Sequence, residues 1–148
     1  MTLEELVEAR VERMYNDLDY GCAHTTLKTL AEVFDIEVSQ QIYDSSSGML
    51  GGGGYYGAQC GLVQGGIMFI GILGARHGFD KETLSQNCFD FSARAEKELG
   101  SLLCREIRPE GFADDNPPNL CKSRTVQSIV STTRFIADRF GLPLKLPE

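Results

Sequence analysis

The sequence predicts an all-α fold, a compact bundle of about five helices around a buried, glycine-rich central helix. Three observations predict it. Apolar residues recur three and four positions apart in several long segments, no segment alternates with period two, and the helical segments begin and end on residues that cap or break helices. The chain of 148 residues reads as one domain, 1–148, without internal repeats, and its 42% apolar and 24% charged content is that of a globular protein rather than a disordered one.

Thr2-Leu3-Glu4-Glu5 has the form of a capping box, and Leu3, Leu6, Val7, Val11, Met14 and Leu18 follow at helical spacing. They predict a first amphipathic helix of about four turns. Asp19-Tyr20-Gly21 interrupts it, and a second helix is expected from Cys22 to Phe34, with Ala23, Leu27, Leu30, Ala31 and Phe34 on one side. Ser39 is placed to cap a short helix through Ile42 and Tyr43, ended by the turn-forming run Asp44 to Gly48.

From Ser45 to Ala75 no residue is charged, and Gly51 to Gly54 is a run of four glycines. The stretch Gly57 to Ala75 is about as long as a bilayer span. It carries Gln59, Gln64 and many glycines, so a helix buried on all sides is the expectation rather than a membrane helix. Gly57, Gly61 and Gly65 recur at every fourth position, leaving one face bare for the close approach of another helix.

Asp80 is a good N-cap for a helix running to Leu99, Gly100 breaks it before a segment Ser101 to Ile107, and Pro109 stops that segment. Pro109 to Asn119 is a turn-rich loop. The last helix is expected from Leu120 to Phe140, with Val126, Ile129, Val130, Thr133, Ile136, Ala137 and Phe140 inward, before Gly141 and Pro143 end it.

The formal charge of −7, from 14 basic and 21 acidic residues, argues against a nucleic-acid partner and against an anionic membrane surface. The N-terminal segment is acidic where a signal peptide would be basic, so a cytoplasmic protein is expected. Five widely spaced cysteines in such a chain point to metal binding or redox chemistry rather than to a disulfide framework. Cys22, Cys60 and Cys121 each fall in the first turn of an expected helix, where free N–H groups and the helix dipole favour a thiolate. Cys104 is expected one turn before a helix end. No Cys-x-x-Cys pair is present, so a shared site has to be assembled by folding from different helices. Cys88 completes an apolar stripe with Leu84, Phe91, Ala95 and Leu99 and reads as core packing.

His24 points to another side of its helix from Cys22 and reads as a surface or locally bonded residue, and His77 as a complement to a helix C-terminus. Neither belongs to an acid–base constellation. Gly52-Gly53-Gly54-Tyr55-Tyr56-Gly57 matches Gly-x-Gly-x-x-Gly, but Asp44 to Leu50 is a poor strand, so a dinucleotide site is not expected. Those glycines are better suited to letting backbone pass close to the site or to a partner chain.

Tyr20-Gly21-Cys22-Ala23 at a helix start, Cys60-Gly61-Leu62-Val63-Gln64-Gly65 after a glycine-rich run, and single Cys104 and Cys121 together resemble the redox-active family named by its cysteine pattern, C_GCAxxG_C_C. The resemblance spans roughly Leu18 to Val130; Leu62 replaces the motif's alanine, which implies a roomier contact there, and Cys88 lies outside the pattern. A related domain occurs in split-Soret cytochrome c, a dimeric protein with a non-haem iron–sulfur centre. The resemblance therefore implies an iron–sulfur cluster, [2Fe–2S], held by Cys22, Cys60, Cys104 and Cys121, for electron transfer with a redox partner protein or for redox sensing. No Cys-x-x-Cys-His is present, so covalent haem is not expected. Two other readings stay open: a cluster-free thiol–disulfide protein with Cys60 as attacker, and an interaction module with a structural four-cysteine zinc site. The glycine faces and the uncharged Ser45 to Ala75 stretch lead to the expectation of a homodimer.

Overall fold

The computed structural model describes residues 1–112 and 121–148. Its described residues form seven α-helices: α1 (Leu3–Asn16), α2 (Cys22–Phe34), α3 (Gln40–Ser46), α4 (Gly61–Arg76), α5 (Lys81–Leu99), α6 (Cys104–Ile107) and α7 (Lys122–Phe140). The fold is all-α. Five of these helices have 13 or more residues, and α3 and α6 are short. Among the described residues there is no strand, only an isolated antiparallel bridge between Gln59 and Leu103.

Local signals set most boundaries. The Thr2 hydroxyl accepts from Glu5 N–H while the Glu5 carboxylate accepts from Thr2 N–H, a complete capping box on α1. Asp80 caps α5 by accepting from Thr83 N–H at 2.7 Å. Gly100 and Gly141 end α5 and α7 in the left-handed conformation that glycine adopts without strain.

The long helices close around one hydrophobic cluster whose centre includes Leu6, Leu27, Leu30, Phe69, Ile70, Ile129 and Ile136. Helix α4 packs between α2 and α5, and α7 lies across α1, α2 and α5. The close approach of α2 and α4 depends on glycine. A Cβ at Gly65 would lie 2.8 Å from Thr26 Cβ and 3.0 Å from the Ala23 carbonyl oxygen. Beyond Gly141 the tail returns along α2, where Lys145 N–H donates to the Val33 carbonyl at 2.8 Å.

Several sequence expectations are corrected. Leu18 lies beyond the end of α1 and is exposed, because the helix stops at Asn16. Helix α3 continues to Ser46 and passes into a 3-10 turn at Ser47–Met49, since Ser45, Ser46 and Ser47 bond back to carbonyls one turn earlier instead of breaking the helix. The central helix starts at Gly61 rather than Gly57, and Gly57 sits in the preceding loop with φ +84°. Nor is α4 buried on all sides: Ile67, Met68, Gly71 and Ile72 are only half-buried and Ala75 is exposed. Its glycine face is covered by α2 of the same chain. Leu120 and most of the expected loop, 113–119, lie outside the described residues. Among the described residues no helix is long and apolar enough to cross a membrane.

Candidate functional site

Four of the five cysteines stand at the start of a helix. Cys22 is the first residue of α2, Cys60 the N-cap of α4, Cys104 the first residue of α6 and Cys121 the N-cap of α7. Cys104 stands one turn before a helix end, as expected, but α6 is only that one turn long and so begins at Cys104 as well. The segment from Ser101 does not join the helix because Leu103 is extended and bridges to Gln59, so α6 begins only at Cys104. The four cysteines line one cavity of about 170 Å³. A single buried water needs roughly 10–15 Å³ on this measure, so the space suits a group of many atoms.

Backbone contacts bring these positions together. Cys60 N–H donates to the Leu102 carbonyl at 2.8 Å, and Arg105 N–H donates to Gly57 at 3.1 Å. Cys104 N–H is likewise bonded to the Ala58 carbonyl. These bonds tie the approach to α4 against the approach to α6. A Cβ at Gly61 would lie 2.9 Å from both Cys22 Cβ and Ala23 N, so the Cys60-Gly61 step packs directly on the start of α2. On the opposite side, Tyr15 of α1 reaches in. Its hydroxyl lies 3.2 Å from Cys22 Sγ and 2.7 Å from Thr125 Oγ1, and Thr125 in turn donates to the Cys121 carbonyl at 2.9 Å.

All five cysteines are free thiols. Burial pushes the Cys60 thiol up to about 12, with the neighbouring Cys22 charge adding to the rise and the N–H groups of Leu62 and Val63 opposing it. Burial likewise pushes Cys22 up to about 11, opposed by its bond to Tyr15 and reinforced by the charges of Cys121 and Cys104. Cys104 is raised by burial and by Cys121, with Arg108 pulling the other way. The helix starts thus do not make Cys22 and Cys60 acidic, as the sequence suggested, because desolvation outweighs the N–H groups. Each thiolate also opposes its neighbours. Only a cation among them would let several ionise together.

Among the described residues no three His, Cys, Asp or Glu side chains converge as a ligand set for one ion. The cysteines border a volume rather than a point. That arrangement does not present a ready tetrahedral zinc site, whereas a cofactor with several metal atoms has its ligands spread around it.

The remaining wall is built from glycines and aliphatic residues with aromatic and cationic side chains among them. Gly51, Gly52, Gly53, Gly54 and Tyr55 all have positive φ, winding the backbone left-handedly over the cavity. A Cβ at Gly52 would lie 2.5 Å from Ala58 N, so that position has no room for a side chain. Tyr55 meets Phe112 with ring centroids 5.1 Å apart, and the Arg108 guanidinium lies 4.7 Å over the Phe112 ring. Among the described residues, Arg108 and Arg124 line the cavity against one carboxylate, Asp19. The Gly-x-Gly-x-x-Gly match follows a 3-10 turn, not a strand, so it has no βαβ unit around it.

Cys88 packs against the core from α5 and is not part of the cavity wall. His24 is stacked between Tyr20 and Tyr43, at 3.7 and 5.0 Å, and His77 packs edge-on against Phe79 and Phe140. Sequence reasoning missed Tyr15, Thr125, Arg108 and Arg124. Two signals were available: Tyr15 stands four residues after Val11 on the inward face of α1, and Thr125 stands one turn after Cys121.

Neither the curated proteins nor the solved structures yield a match to this chain. The family profile described as "Putative redox-active protein (C_GCAxxG_C_C)" matches residues 20–135, which include all four cavity cysteines, and the chain belongs to that redox-active family.

Proposed function

We propose that the protein carries an iron–sulfur cluster, of the [2Fe–2S] type, on Cys22, Cys60, Cys104 and Cys121, and that it transfers electrons to a partner protein or senses redox state. The observation that carries this reading is the shared cavity: residues from four separate segments, brought together by folding, leave Cys22, Cys60, Cys104 and Cys121 around about 170 Å³ of space. A cluster bound there supplies one-electron redox chemistry. The chain itself supplies thiolate ligands, a mostly apolar wall that limits water, and the cations Arg108 and Arg124 beside what is an anionic ligand set. Mutual repulsion of the thiolates favours the same reading, since positive metal replaces the protons that burial otherwise retains.

The thiol–disulfide alternative is less well supported by the same chemistry. An attacking cysteine needs an accessible thiolate, and Cys60 is buried with its thiol pushed up to about 12. We place the protein in the cytoplasm, where unliganded thiols stay reduced.

The test is anaerobic purification followed by absorption spectroscopy and metal analysis. Sulfur-to-iron charge-transfer bands with iron and acid-labile sulfide are expected. A colourless protein with stoichiometric zinc would establish the structural-site reading instead. Colourless, metal-free protein that also refuses iron and sulfide would leave the thiols as the redox group.

A further inference from the structure

The hydrogen-bond chain through Tyr15 has a direction. Thr125 has one hydroxyl hydrogen, and it goes to the Cys121 carbonyl, 2.9 Å away. At the 2.7 Å contact between Thr125 Oγ1 and Tyr15 Oη, Tyr15 is therefore the donor. Its own single hydrogen is then used, so at the 3.2 Å contact with Cys22 Sγ the phenol oxygen accepts and the thiol S–H donates. The chain runs from Cys22 through Tyr15 and Thr125 to the backbone of Cys121, and joins two of the four cavity cysteines.

A metal-bound Cys22 has no S–H, so it cannot act as donor. The Tyr15 hydrogen then faces two acceptors, the neutral oxygen of Thr125 and the anionic sulfur of Cys22. A charge-assisted hydrogen bond is roughly twice as strong as a neutral one, so the hydrogen turns to sulfur. Thr125 keeps its bond to the Cys121 carbonyl and loses nothing but a donor. We propose that Tyr15 is a positioning residue for the redox centre: its hydroxyl accepts from the Cys22 thiol in the unloaded protein and donates to the Cys22 sulfur in the loaded one, raising the centre's reduction potential. The second half of this inference rests on the cluster reading above. Donation to a ligand sulfur stabilises the more negative, reduced state, which fixes the sign of the shift.

The experiment compares wild type, Tyr15→Phe and Thr125→Val in two states. In unloaded, reduced protein, infrared spectra are recorded in the S–H stretching region. One band of the wild type should move to higher wavenumber in Tyr15→Phe, because the Cys22 S–H has lost its acceptor. An unchanged S–H region overturns the assignment. Protein loaded with iron and sulfide is then titrated potentiometrically. Tyr15→Phe should shift the midpoint potential downward, whereas Thr125→Val, which removes the competing acceptor together with the bond to the Cys121 carbonyl, should leave it unchanged or raise it. Equal downward shifts in both variants would mean that they act through packing, and would overturn the proposal. If wild type takes up no iron, the cluster reading fails and takes the loaded-state role with it. The infrared comparison still decides the hydrogen-bond chain.

Discussion

A methyl group placed on Gly61 would sit 2.9 Å from the Cβ of Cys22. That distance couples the helix starts of α2 and α4, and with them two of the candidate ligands, through a position where only hydrogen fits. The atoms it would meet are a backbone nitrogen and a Cβ, neither of which can swing aside. Gly61→Ala should therefore cost about 1–3 kcal/mol, as overpacking does, and lower iron content. Gly65→Ala, one turn further along against Thr26 and Ala23, should cost a similar amount while disturbing iron content less. Thermal unfolding and iron per chain separate the two effects.

The raised thiols make the unloaded protein sensitive to alkali. A group that holds its proton more tightly when folded stabilises the fold below its unfolded pKa, and that stability is lost as pH rises through the folded value. With Cys60 pushed up to about 12 and Cys22 to about 11, from an ordinary 9.0, unloaded protein should lose stability from about pH 9 upward. Denaturant midpoints at pH 7, 9 and 10.5 check this. Metal loading should show the opposite trend and tighten with pH in the neutral range, because the ligands release protons when they bind.

Much of the fold was legible because helix ends are written locally. The Thr2–Glu5 box, the Asp80 cap and the glycines at 100 and 141 each act on neighbouring backbone, so periodicity plus caps located the long helices. Helix α2 begins and ends where expected for the same reason. The start of the helix at Cys104 was not legible, because it depends on the bridge between Gln59 and Leu103, residues far apart in the chain. The glycine spacing at 57, 61 and 65 suggested one continuous face, yet Gly57 turns back with a positive φ to pass Arg105. Cys22, Cys60 and Cys121 were recognisable from their expected helix starts, and all four cysteines from the family pattern. The hydroxyl of Tyr15 was not, because nothing local links it to Thr125 of α7.

A homodimer remains the expected assembly, but the surface for it is not the glycine face, which α2 occupies. The outward stripe of α4, with Ile67, Met68 and Ile72 half-covered and open space around Gly71, is the better candidate. Sedimentation of wild type at micromolar concentration should give a dimer. Gly71→Asp puts a charge on that stripe without meeting any neighbour, and should give a folded monomer. A wild type that sediments as a monomer throughout would remove the proposal.

The ligand set makes the sharpest prediction, because a cluster depends on all of its thiolates together. Removing one leaves a metal position open to water and oxygen, so the serine variants of Cys22, Cys60, Cys104 and Cys121 should each lose most of their iron. Combining two such changes should add little, since the site is already lost after the first. Cys88→Ala provides the contrast. Cys88 packs against the core from α5 outside the cavity, so its loss should cost about 1 kcal/mol and leave iron content and potential unchanged. A thiol-exchange protein would behave differently: one attacking and one resolving cysteine would be indispensable, and the other two nearly silent. Iron per chain and redox titration across the five variants distinguish these patterns. Equal collapse in four with Cys88→Ala spared supports the shared centre, whereas a division of the four into two pairs points to disulfide exchange.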